Sequence, residues 1–198
     1  LGTMAGRIVV EAAGNGGHNL DDLPIFVPWL VRASGINDSG AILVSAATSG
    51  LPHQPMTVAG TTPPVRLHNY GSRIDCYAWG DNIYTTKSGN SFQTFSGTSG
   101  ASAIVAGAAL SVQGMAVAKP GGSRLTPLQM RNYLSDPSPG VSAINPFANT
   151  RSKSGVAIDK IGVMPNLKAI IGQLGIIIEP QAMSDVTPPA PPASLTIR

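Results

Sequence analysis

The chain has 198 residues, a net charge of +3, 42% hydrophobic and only 12% charged residues, and a mean hydropathy of +0.13. That length fits one domain plus a short appendage, and that hydrophobic share excludes disorder over most of it. The 23 glycines and 17 prolines indicate a turn-rich protein rather than a helical bundle or coiled coil. The basic residues are scattered and give no case for nucleic acid as a partner. Uninterrupted apolar stretches such as 103–110 fall well short of the ~20 residues of a membrane span. The single cysteine, Cys76, excludes an internal disulfide and a multi-cysteine metal site and leaves the redox compartment open.

The chain opens on Leu1 and enters an apolar strand almost at once, so more of the same core is expected upstream. Residues 8–13 form a β-branched run ended by Gly14-Asn15-Gly16-Gly17, which predicts a buried strand entering a sharp turn. Residues 18–40 are polar and turn-rich and read as a surface loop with room for one helical turn. Residues 41–47 predict a second buried strand, and 56–60 a short one before Pro63-Pro64. Residues 74–78 predict another strand, closed by Trp79-Gly80, and 81–96, with Gly89-Asn90 at the turn, a hairpin.

From Thr98 to Ala118 the residues are small and apolar with no breaker beyond Gly107 and Gly114, which predicts a helix buried on most sides. Thr126-Pro127 opens a further helix, with threonine at the N-cap and proline in the first helical position, that stops at Asp136-Pro137. Residues 138–160 read as loop and 165–174 as a closing helix. An apolar patch at 176–178 precedes a stretch, 180–192, with five prolines, read as a linker or tail. Strands alternating with helices predict an α/β architecture around a mostly parallel sheet.

The chemistry concentrates in Phe95-Ser96-Gly97-Thr98-Ser99-Gly100-Ala101-Ser102-Ala103-Ile104-Val105-Ala106-Gly107. A serine stands on a glycine-flanked turn at the start of an apolar helix. The helix N-terminus offers unpaired N–H groups and a positive dipole end to a developing negative charge, and the glycines let a substrate backbone approach closely.

Gly97-Thr98-Ser99-x-Ala101-Ser102 with Val105-Ala106-Gly107 resembles the active-site serine motif of the subtilisin-like (S8) serine peptidases. Upstream, Ala12-Ala13-Gly14-Asn15 is similar to the strand end that carries the family's oxyanion asparagine. Two weaker likenesses are Tyr70-Gly71 with 75–80, and Leu125-Thr126-Pro127-x-Gln129-Met130-Arg131 after the serine helix. The resemblance covers about 1–174, leaving 175–198 as a proline-rich tail. It implies the C-terminal part of a three-layer α/β fold, with a mostly parallel sheet and a buried helix beginning at the catalytic serine. It also implies a serine endopeptidase acting on polypeptides, with Ser99 as nucleophile, Asn15 and the Ser99 N–H as oxyanion hole, and Ala12, Ala13 and Gly14 as one wall of the pocket before the cleaved bond. Secretion is expected of the family.

The sequence departs from the family in two places. Ala103 stands where a proline is usual. The family's aspartate and histidine both precede the asparagine, so the resemblance implies an upstream segment that supplies them as partner. A catalytically dead scaffold used for binding is the alternative that missing triad members also fit. His18, His53 and His68 follow Asn15 and read as solvated loop histidines. Asp21-Asp22 offers oxygen ligands suited to calcium, but adjacent loop carboxylates are more often a solvated face, and no cofactor is implied. Cys76 reads as a buried inert thiol, and Trp29 and Trp79 as packing residues. Taken alone, Ser99 has a structural reading as a helix N-cap.

Overall fold

The computed structural model describes residues 2–22, 38–144 and 161–176, with Asp22 described by its backbone alone. In chain order the elements are β1 (Val10–Ala12), a 3-10 turn (Leu20–Asp22), β2 (Ile42–Ala47), β3 (Cys76–Trp79), the hairpin strands β4 (Ile83–Lys87) and β5 (Ser91–Phe95), α1 (Thr98–Ala118), α2 (Pro127–Leu134), β6 (Val141–Ser142), β7 (Val163–Met164) and α3 (Leu167–Gln173). The main sheet has the order β1-β2-β3-β7-β6. Its first four strands run parallel, with Val10 beside Ile42, Val44 beside Cys76 and Cys76 beside Val163, and β6 lies antiparallel to β7.

The period-2 geometry of β2 explains why it is apolar throughout, since both its faces are buried. Ile42, Val44 and Ala46, with Cys76 and Ala78, meet Ala101, Val105, Ala109, Val112 and Ala116 of α1; Met130, Leu134 and Ile170 close the same cluster. The spacing of those five α1 residues, four, four, three and four, draws one helical stripe. On the opposite face Leu43 packs with Ala13, Leu20 and Ile74, and Ala47 and Tyr77 pack with Ile161. Burial pushes the Cys76 thiol far above its ordinary range, and the neighbouring Asp75 charge adds to it, so this sulfur is an inert core group.

The start of β3 is held by charge. Asp75 accepts from Arg73 Nη1 at 2.6 Å and from Arg131 Nε at 2.8 Å, while Arg131 Nη1 reaches Asp38 at 2.6 Å and Arg73 Nη2 lies 3.3 Å from Asp38. Two guanidiniums thus balance two carboxylates and tie α2 to the segments entering β2 and β3. Both α2 and α3 start on a side-chain cap: Thr126 accepts from the Gln129 N–H in a full capping box, and Asn166 accepts from the Ala169 N–H.

Several expectations change. Residues 56–60 form no strand and contribute only the isolated bridge Thr57–Arg66. Trp79 ends β3 instead of closing it, and β6 and β7, two residues each, were too short to leave a periodic signal in the sequence. The closing helix begins two residues after Pro165, at Leu167. Helix α1 has the expected bounds but is not buried on most sides: Leu110 is 75% exposed, Val117 47% and Ile104 40%. Beside the stripe facing the sheet, Ala108 and Met115 also pack on the core and Gln113 Oε1 accepts from the Leu125 N–H at 3.2 Å. By length and hydropathy α1 would also pass for a membrane-crossing helix, which uninterrupted apolar runs alone did not reveal; its packing is that of a core helix against β1–β3. Of the patch at 176–178, Ile176 packs against the main core cluster; Trp29, residues 177–178 and the tail lie outside the described residues.

Candidate active site

The site is assembled where β1 ends and α1 begins. After Ala12 the chain turns through Gly14, whose φ of 98° belongs to the left-handed region that favours glycine. A Cβ there would stand 2.8 Å from Asn69 Nδ2, so Gly14 is required on both counts. Gly97, at the N-cap of α1, has φ of 101°, and a Cβ on it would press on the Asn15 carboxamide at 3.3–3.4 Å. Gly97 is therefore explained by the closeness of the two motifs, and Gly14 by its φ and by Asn69.

Asn15 Oδ1 accepts from the Thr98 N–H at 3.0 Å and from Thr98 Oγ1 at 3.0 Å, while Thr98 Oγ1 accepts from the Gly14 N–H at 3.2 Å. A backbone N–H can only donate, so the carboxamide atom facing it is the oxygen, and Nδ2 is turned away with both of its hydrogens available. Within the first turn of α1 the other N–H groups are taken: Gly97 donates to Gly80 O at 2.8 Å and Gly100 to Gly97 O at 3.1 Å. The Ser99 N–H has no partner among the described residues, as expected of a helix N-terminus. Ser99 is exposed, and because Gly97 is the N-cap, its hydroxyl does not serve as a cap. The Ser102 hydroxyl donates back to Ser99 O at 2.9 Å.

An apolar groove of about 510 Å³ opens beside Ser99, between the inner face of the β4–β5 hairpin and the start of α1, lined by Ile83, Phe95, Gly100, Ala103 and Ile104. On the other side of the serine turn, Ala12 is exposed and Gly14 half-buried, but the Ala13 methyl is turned into the core against Leu43.

The histidines separate. His18 is exposed, as expected of a loop residue. His53 and His68 are buried, contrary to the reading of them as solvated. His53 Nδ1 lies 2.8 Å from Thr48 O and its ring meets Tyr77 edge-on; His68 Nε2 lies 3.3 Å from Met56 Sδ, and burial pushes the His68 imidazole below its ordinary pKa. Asp21 is not a solvated carboxylate either: it accepts from Ser72 N at 2.8 Å and from Ser72 Oγ at 2.6 Å. Among the described residues no group of three His, Cys, Asp or Glu could hold a metal ion.

Two residues at the site were not singled out from the sequence. Thr98 lay inside the quoted motif without a role. Asn69, in the loop before β3, left no signal at all, because a polar residue in a turn-rich stretch is unremarked until its partners are known.

The sequence profile of the subtilase family, peptidase S8, matches residues 2–156. The chain belongs to the subtilase family. Among solved structures it is similar to the A subunit of the AB5 toxin from E. coli, at 22% identity and a TM-score of 0.57, over 87% of this chain and 53% of that one. It is also similar to a chain from the subtilase cytotoxin SubAB assembly, at 21% identity and a TM-score of 0.54, over 87% of this chain and 51% of that one. These likenesses establish the subtilase fold, and the chain spans about half the length of the structures it matches. None of the curated proteins compared with it matches.

Proposed function

We propose that this chain carries the nucleophile and the oxyanion hole of a serine endopeptidase. Ser99 Oγ attacks the carbonyl of a peptide bond, giving its proton to a histidine that an aspartate orients. The C–N bond then breaks, the histidine passes that proton to the leaving amine, and an acyl-enzyme remains for water to hydrolyse. The tetrahedral oxyanion is received by Asn15 Nδ2 and the Ser99 N–H. The observation that carries this reading is the 3.0 Å bond from the Thr98 N–H to Asn15 Oδ1, which aims the carboxamide nitrogen away from Thr98 and sets it beside the turn that bears the serine. A catalytically dead binding scaffold has no use for that orientation.

The histidine and aspartate belong, on this reading, to an upstream half of the same domain, which also covers the exposed apolar face of α1 around Leu110. His18, His53 and His68 do not replace that base, since all three follow Asn15 in the chain, and His53 and His68 are buried with their rings against Tyr77 and Met56. The backbone of 12–14 forms one wall of the pocket before the cleaved bond, and the substrate is a polypeptide met outside the cytoplasm. A fluorophosphonate probe tests the proposal: the chain alone reacts slowly at Ser99, and the chain joined to the upstream half reacts quickly at that residue alone. Fast stoichiometric labelling of the isolated chain contradicts the need for a supplied base, and no labelling in the joined form contradicts the nucleophile.

A further inference from the structure

We propose that Asn69 is the positioning residue of the oxyanion turn, acting through Asn15; this rests on the role of Asn15 proposed above. All of its polar groups are engaged around that turn. Its N–H donates to Gly14 O at 2.9 Å, its Nδ2 donates to Ala13 O at 2.7 Å, and its Oδ1 accepts from the N–H groups of Gly16 at 3.2 Å and His18 at 2.9 Å. Its own carbonyl accepts from Ser45 Oγ at 2.9 Å, in the fully buried strand β2. Asn69 therefore grips the chain on both sides of Asn15, at residues 13 and 14 before it and 16 and 18 after it, and anchors that grip in the core.

The turn needs such a grip. Gly14, Gly16 and Gly17 give residues 14–17 more backbone freedom than any other residue type would, and Asn15 is itself exposed. A carboxamide is the side chain that offers a donor and an acceptor on one rigid plane. Aspartate would set an oxygen against Ala13 O, and alanine would leave all three side-chain bonds unmade. The consequence is directional: with the grip lost, the Asn15 amide no longer keeps its oxygen on Thr98, and its nitrogen no longer keeps its aim.

Thr98 reports on this, because its N–H is bonded to Asn15 and not to Asn69. Amide hydrogen exchange is measured by NMR on the full chain. In N69A the amides of Gly16, His18 and Thr98 exchange about five- to tenfold faster, the loss expected of single hydrogen bonds, while Val44 and Ala78 in the sheet keep their protection. N15A deprotects Thr98 alone, and N69A added to N15A changes Thr98 no further. N69D deprotects Thr98 at neutral pH and regains protection, relative to the wild-type chain at the same pH, once acid protonates the carboxyl and lets it donate to Ala13 O. Unchanged Thr98 exchange in N69A would overturn the proposal. So would loss of sheet protection in both N69A and N69D, since Asn69 would then hold the fold rather than the turn. Failure of the peptidase reading appears separately, as Ser99 labelling that is indifferent to N15A.

Discussion

The Asn15 carboxamide oxygen is held at 3.0 Å by the N–H of Thr98 and at 3.0 Å by its hydroxyl, so the residue just before Ser99 decides which way the Asn15 amide faces. The same hydroxyl accepts from the Gly14 N–H. One buried side chain thereby fastens the strand-end turn of β1 to the first turn of α1.

Thr98→Val keeps the shape and removes the hydroxyl, leaving the Gly14 N–H without its acceptor. The expected cost is about 1 kcal/mol of stability, at the low end for an orphaned donor because Gly14 is half-buried, read from urea unfolding. Because the Thr98 N–H bond survives, Ser99 reactivity in the joined form falls less in this variant than in Asn15→Ala.

Arg131→Met removes one of the two guanidiniums paired with Asp38 and Asp75 and keeps Arg73. Removing one partner from a buried ion-pair cluster is costly, and the expected loss is about 3–5 kcal/mol. Denaturation of the variant within about 1 kcal/mol of wild type would show that water, not Arg131, balances the cluster.

Acid destabilises the fold in two stages. Burial holds the folded pKa of His68 below its ordinary value of 6.5, so the unfolded chain binds more protons, and stability falls as pH drops below about 6.5. Burial would raise the Asp38 carboxyl, but the Gly40 N–H, the Arg131 hydrogen bond and the Arg73 charge outweigh it and hold its pKa below 3.8. Its contribution is present above that value and is lost as pH falls through the lower folded pKa. The variant His68→Gln is expected to flatten the fall in stability that begins below about pH 6.5 while leaving the drop due to Asp38 below its ordinary pKa of 3.8, read from chemical denaturation at each pH.

Leu110, 75% exposed on α1, marks the face assigned to the upstream half. Leu110→Lys is expected to change the stability of the isolated chain by no more than about 0.5 kcal/mol and to impair assembly with the upstream half, read by sedimentation. Unimpaired assembly would place that half elsewhere.

The sequence made α1, α2 and the β4–β5 hairpin legible to within a residue or two, because each carries its own punctuation: Gly97 before α1, Thr126-Pro127 before α2, and Gly89-Asn90 with positive φ at the hairpin turn. Strands β1 to β3 were visible as apolar runs, but β1 is not the buried strand expected: Val10 is half-buried and Glu11 and Ala12 are exposed. The two-residue strands β6 and β7 were not visible, since pairing with a neighbour, not composition, defines them. Ser99 and Asn15 were singled out through the likeness of their flanking residues to the family's motifs, and their roles remain the proposal made above. What escaped was everything decided by long-range contact: the burial of His53 and His68, the Asp21–Ser72 bonds, and the grip of Asn69 on a turn more than fifty residues away.

The rate at which a fluorophosphonate modifies Ser99 in the chain joined to its upstream half, compared with the same assembly carrying Asn15→Ala, tests the central claim most directly. The account predicts single-site modification at Ser99 that slows about 10²–10³-fold in the variant, the effect on kcat known for the equivalent donor of subtilisin itself. Equal rates in the two assemblies, or modification at a residue other than Ser99, would contradict it.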